Sequence, residues 1–184
     1  MGKTTVAGVL TGHGLRVVDT DVLARELVKP GQPAWDEIKS TFGPGIVSPD
    51  GQLRREELAR RVFADPPARL RLESILHPRI RLAWQTQIEE WRAAGQTLAV
   101  VVIPLLFETQ AEASFNKILC VACLPASQQE RLAARGWTTE QISQRVAAQL
   151  PIEQKVNQAN YVIWTEGRLD STVRQVERIL MKAE

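Results

Sequence analysis

No apolar run in the 184-residue sequence approaches the ~20 residues that a membrane-crossing helix needs. A surplus of one charge is equally lacking. The 23 Lys and Arg stand against 21 Asp and Glu, and a net charge of +2 is too balanced to argue for a nucleic-acid groove. The first residues carry no basic-then-apolar leader, because a helix-like pattern begins at residue 3. Cysteine and histidine are scarce, with two of each. Cys120-x-x-Cys123 has a spacing that suits redox chemistry or half a zinc site. No second Cys or His pair completes such a site, since His13 and His77 stand far apart in sequence. The cysteine pair lies inside the apolar run Ile118 to Leu124, where free cysteine serves as a small hydrophobe. Internal repeats and low-complexity segments are absent. What remains is a cytoplasmic globular chain with no membrane or nucleic-acid partner expected.

The length suits one main domain with room for a small insertion. Residues 3 to about 12 read as a helix stopped by Gly12-His13-Gly14. A short strand at 15–19 follows, then a helix at about 21–29 that Thr20 or Asp21 can cap. Pro30 to Pro33 breaks it, and a further helix occupies about 33–42. From Leu53 to Ala94 the pattern is helical, with expected breaks at Asp65-Pro66-Pro67 and at His77-Pro78. The continuous apolar runs at 98–103 and 118–123 predict strands buried on both faces. Helices at about 126–135 and 138–149, a strand at 161–164 and a helix at about 169–182 complete the chain. Strands separated by helices imply an α/β fold with a parallel sheet covered on both sides. The helical block of approximately 30–95 reads as an inserted subdomain.

Gly2-Lys3-Thr4-Thr5 matches the end of a phosphate-binding loop, G-x-x-x-x-G-K-[ST]. In a complete loop, backbone N–H groups surround the phosphates, the lysine reaches the outer phosphate oxygens and the hydroxyl binds magnesium. A bare GKT also occurs by chance, but here it opens an amphipathic helix and is followed by a strand ending in Asp19-Thr20-Asp21. Ligands of open α/β sheets bind at such strand ends. A carboxylate there can orient or deprotonate an attacking hydroxyl, or simply cap the next helix. The spacing leaves both open. The strand and glycine arch that should precede Gly2 do not stand in the sequence. The functional protein is therefore expected to carry roughly 10–15 further residues before Met1.

Several motifs in order resemble the dephospho-coenzyme A kinase family. They are Asp19 to Arg25, Pro30 to Ala34, Leu76-His77-Pro78, Pro104 to Glu108, Gln128-x-x-Arg131-x-x-x-Arg135, Arg145-x-x-x-Gln149 and Ala159 to Ile163. The resemblance runs over essentially the whole chain. It implies a three-layer P-loop kinase fold over 1–184, with the central first strand and most of the phosphate loop missing. Residues 30–95 become the coenzyme A-binding subdomain and about 125–157 a helical lid. The implied reaction is ATP- and Mg²⁺-dependent phosphorylation of the ribose 3′-hydroxyl of dephospho-coenzyme A. Another P-loop small-molecule kinase, or a form that binds ligand without turnover, is the alternative. The chain is expected as a monomer or weak homo-oligomer.

The resemblance gives Asp21, Lys3 and Arg135 catalytic roles. It assigns ATP to Gly2, Lys3, Thr4, Thr5, Arg131 and Arg135, with Thr4 also holding the metal. Substrate contacts fall to Asp21, Arg25, His77, Leu105, Glu108 and Arg145. On residue chemistry alone, Arg25 reads equally as a solvated charge, His77 as a residue shaping a corner, and each lid arginine as part of a surface helix. The sequence departs from the family pattern at Gly136, where Asp is usual, and at Asn160 and Thr165, where Asp and Asn are usual. The last two bear on the adenine-side loop.

Overall fold

Gly2 stands just before the first helix, and short strands follow at intervals among blocks of helices. The computed structural model describes residues 1–183. The elements are α1 (Lys3–Gly12), β1 (Arg16–Asp19), α2 (Thr20–Leu27), α3 (Pro33–Phe42), α4 (Arg55–Ala64) and α5 (Pro66–Ala93). They continue with β2 (Ala99–Val102), β3 (Leu119–Ala122), α6 (Pro125–Ala133), α7 (Thr139–Ala147), α8 (Ile152–Gln158), β4 (Tyr161–Trp164) and α9 (Leu169–Ala183). The chain forms two compact units, one from 1–15 with 104–184 and one from 16–103. The expectation of a further strand before Met1 concerns residues outside the described chain.

In the second unit β1 and β2 pair in parallel, with Arg16 opposite Ala99 and Asp19 opposite Val102. Four helices accompany them. Pro33 sits at the first position of α3, where its fixed φ suits a helix start and its missing N–H costs nothing. Ala34, Ile38, Ile46, Leu53, Leu58 and Ile75 close into the buried core of this helical block. Ile38 and Ile46 have no solvent exposure, so truncating either to Ala costs about 2–5 kcal/mol.

The break expected at His77-Pro78 does not occur. Pro78 lies inside α5, which runs unbroken from Pro66 to Ala93. Proline removes the N–H that Ser74 would receive and crowds the preceding turn. The Arg79 guanidinium adds bonds beside the proline, since its Nη1 donates to the Ile75 carbonyl at 2.7 Å while Nη2 pairs with Glu37 of α3 at 2.6 Å. Packing of α5 against α2, α3 and α4 holds both sides of the proline in one helix. Tertiary contact overrides the local signal here.

In the first unit β3 and β4 pair in parallel from Leu119–Tyr161 to Ala122–Trp164. The strands therefore form two two-stranded parallel sheets rather than one continuous sheet. Full burial on both faces is also not observed. All four residues of β2 are half-buried, and along β3 Cys120 and Ala122 are buried while Leu119 and Val121 are half-buried. A pairing only two strands wide covers less of each strand than a wide sheet would. Cys120 and Cys123 are free and buried, as a core reading requires. Burial pushes the Cys120 thiol up, against the pull of Lys155 and Lys3.

The helix expected at 138–149 ends at Ala147, and α8 follows it as a separate element. Asn160 accepts the Ile118 N–H at 2.8 Å, aligning the starts of β3 and β4. An aspartate could accept the same bond, so the amide at 160 leaves this junction intact. Gly136 has φ 84°. Its N–H reaches the Ala133 carbonyl at 2.9 Å and that of Trp137 reaches Leu132 at 3.3 Å, the paired closure that ends a helix on a left-handed residue. Glycine at 136 in place of the usual Asp thus has a backbone reason.

Candidate functional site

The start of α1 is built on a glycine that no other residue replaces without strain. Gly2 has φ 79° and ψ 13°, and a Cβ there would stand 2.9 Å from Cγ2 of Thr165. Having no side chain, Gly2 cannot cap α1, and the first-turn N–H groups lack intrahelical acceptors. A helix start of this kind, with its positive dipole end and Lys3 beside it, suits an anion. Lys3 is half-buried in that turn, whereas Thr4 and Thr5 are exposed.

Thr165 follows β4 and is 7% exposed. Its N–H donates to the Ala122 carbonyl at 2.9 Å, extending the β3–β4 ladder. Its hydroxyl stands 3.2 Å from both the Met1 and Ala122 carbonyls. Arg131 grips the same residue twice, with Nη1 donating to Oγ1 at 2.9 Å and Nη2 to the carbonyl at 2.6 Å. Next to it, Glu166 accepts the Leu124 N–H at 2.6 Å and the Ser127 hydroxyl at 2.8 Å. The Leu124 N–H, then the Ser127 hydroxyl, hold the Glu166 carboxyl below its ordinary value. Residues 165 and 166 thereby fix α6 at its first turn and again at Arg131.

Arg135, expected within the helix at about 126–135, lies beyond the end of α6 in the exposed turn closed by Gly136. Arg145 of α7 stacks over the Trp137 ring at 4.1 Å from its centroid. A capping box between Thr138 and Gln141 starts α7 beside that contact.

Glu108 follows the exposed Leu105 in a tight turn. Its Oε1 takes the Lys155 ammonium at 2.6 Å and the Leu150 N–H at 2.9 Å. Burial alone would raise this carboxyl, but Lys155 and Leu150 outweigh it and hold it below its usual value. Lys155 is 6% exposed, and Glu108 Oε2 is buried with no hydrogen-bond partner in the protein. Lys155 was not singled out by sequence; a lone lysine within a polar helix carries no pattern that marks it as buried.

In the second unit, the end of β1 leads directly into α2. Asp19, rather than Thr20 or Asp21, caps that helix by accepting the Asp21 N–H at 2.8 Å. Thr20 is buried and donates to the Val102 carbonyl at 3.0 Å, tying the helix start to the end of β2. Asp21 is left exposed in the first turn, with Arg25 exposed one turn later. His77 is exposed on α5. Among the described residues, no cluster of three or more His, Cys, Asp and Glu is arranged to hold a metal ion, and no helix is long and apolar enough to cross a membrane.

An α/β chain with parallel strands and many helices has the architecture of the P-loop kinases, a class of phosphotransferases. The family model described as dephospho-CoA kinase (CoaE) matches residues 1–171. A dephospho-CoA kinase of Bdellovibrio bacteriovorus is 38% identical over 97% of this chain and 89% of its own length. A Thermus thermophilus protein of known crystal structure superposes with a TM-score of 0.84 at 33% identity, covering 100% of this chain and 92% of that one. The dephospho-CoA kinase of Campylobacter jejuni shares the fold, with a TM-score of 0.72 at 21% identity over 99% of this chain and 91% of its own. The chain belongs to the dephospho-CoA kinase family, which catalyses the last step of coenzyme A biosynthesis. As members of a kinase family, its enzymes use ATP, and their substrate is dephospho-CoA.

Proposed function

We propose that this chain transfers the γ-phosphoryl group of ATP to the ribose 3′-hydroxyl of dephospho-CoA, acting over 1–184 as one P-loop kinase domain. The observation that carries the assignment is the start of α1, where Gly2, forced into left-handed geometry against Thr165, opens a helix bearing Lys3 and Thr4. Backbone N–H groups of Gly2 to Thr5 and the Lys3 ammonium hold the phosphates. The exposed Thr4 hydroxyl suits a Mg²⁺ ligand, a hard oxygen donor beside phosphate oxygens. Magnesium would neutralise charge on the phosphates. Arg131 binds the nucleotide phosphates, and Arg135 faces the charge that develops during transfer.

Asp21 accepts the proton of the attacking hydroxyl. It stands in the first turn of α2, at the carboxyl end of β1, where ligands of open α/β sheets bind. Arg25, His77 and Arg145 contact the acidic substrate, with 30–95 as the coenzyme A-binding subdomain and 125–157 as the lid. Leu105 is a wall. Glu108 Oε2, lacking a protein partner, supports a bond to a polar group of the substrate. The near-neutral charge fits a small-molecule partner and a cytoplasmic monomer or weak homo-oligomer. The test is to incubate purified chain with ATP, Mg²⁺ and dephospho-CoA and map the product phosphate by mass spectrometry. Phosphate at the ribose 3′ position is expected. Transfer only to other hydroxyl acceptors, or ligand binding without transfer, overturns the assignment.

A further inference from the structure

Arg131 is bound by a single residue in a way that fixes its whole guanidinium plane. Both Nη atoms bond Thr165, one to the hydroxyl and one to the carbonyl. The same hydroxyl also reaches the Met1 carbonyl at the entry to α1 and the Ala122 carbonyl at the end of β3. A hydroxyl has one proton to donate and lone pairs to accept with. Here the proton is shared between two carbonyls while the oxygen takes a charged donor. The Thr165 methyl packs where a Gly2 Cβ would fall, and β-branching stiffens the side chain, so the hydroxyl is held in one orientation. Glu166 adds a second fastening at the first turn of α6.

We propose that Thr165 is a positioning residue for nucleotide binding: through its hydroxyl it couples the Arg131 guanidinium to the start of α1. The two cationic elements that receive the nucleotide phosphates are thus assembled before ATP arrives. The inference rests on the assignment of Arg131 and the start of α1 to ATP. Prior assembly removes the cost of ordering a long arginine side chain on binding, so its loss appears in ATP affinity rather than in the chemical step. In this reading Thr165 touches no reacting atom.

The experiment compares wild type, Thr165→Val, Thr165→Ser and Thr165→Asn in the full chain, measuring ATP dissociation constants and steady-state constants for both substrates. Valine keeps the shape and removes the hydroxyl. It is expected to weaken ATP binding about tenfold, the size of one charge-assisted hydrogen bond. Its KM for dephospho-CoA and its kcat should stay within about twofold of wild type. Serine restores the hydroxyl and asparagine supplies a donor and an acceptor together, so both are expected to return ATP affinity to within about threefold. Equal ATP affinity in wild type and Thr165→Val overturns the proposal. So does a parallel loss for both substrates, or failure of both serine and asparagine to rescue. Wild type that binds no ATP instead overturns the ATP assignment itself.

Discussion

At the carboxyl end of β4, Thr165 and Glu166 hold the entry to α1, the end of β3 and two points on α6. At the carboxyl end of β1 the fastening is the Asp19 cap and the Thr20–Val102 bond, and Asp21 stands exposed beyond them. The first region spends its polar groups on one another and presents a preset cation. The second presents an exposed carboxylate in the first turn of a helix. Under the proposed function the two regions take the two tasks of a phosphotransferase. Phosphate binding gains from donors already in place, whereas a general base must reach whatever hydroxyl the acceptor brings.

The comparison breaks most sharply at Asp21. Asp21→Asn is expected to lower kcat about 10²–10⁴-fold, the range of a general base, while the melting temperature stays close to wild type. A large fall in melting temperature would mean that this end of the sheet is as structurally committed as the other. Next in size is Glu108→Ala, which leaves the Lys155 ammonium buried without its carboxylate and should cost about 3–5 kcal/mol in denaturant unfolding.

The same pair carries a pH signature. The folded-state carboxyl of Glu108 lies below its unfolded value. Its stabilisation is therefore complete above the unfolded value of about 4.3 and is lost as pH falls through the lower folded value. Unfolding measured from pH 5 downward should show this loss in wild type and less of it in Glu108→Gln.

Gly2→Ala comes third. A left-handed alanine costs about 1–2 kcal/mol, and its Cβ would press on Thr165, so denaturant unfolding should show a loss of about that size, with ATP affinity lowered as well. The smallest effect is expected at the stacked pair of α7. Trp137→Ala removes a contact worth about 0.5–1 kcal/mol, and kcat/KM should drop about 2–5-fold, with Trp137→Tyr near wild type.

Where a boundary is written by local chemistry, the sequence was a sufficient guide. Pro33 opens α3, Gly12 to Gly14 ends α1, and the runs of β-branched residues become β1, β2 and β4. Motif spacing singled out Lys3, Asp21 and the arginines as candidates, whose roles belong to the proposed function. What stayed hidden depends on distant partners. The continuity of α5 through Pro78 rests on Arg79 and on packing against three other helices. Glu108 meets a lysine from α8 that has no periodic signature. Thr165 stood out as a departure near the adenine side, yet its bonds run to Met1, Ala122 and Arg131. No window of sequence contains such an arrangement.

The central claim is that this chain transfers phosphate from ATP to dephospho-CoA with Asp21 as the base. Single-turnover transfer of radiolabelled γ-phosphate to dephospho-CoA, run side by side for wild type and Asp21→Asn with both substrates saturating, tests it most directly. Wild type is expected to label the ribose 3′ position, and the variant to bind both substrates but transfer at least about 100-fold more slowly. Equal rates in the two proteins, or no transfer by wild type, would contradict the account.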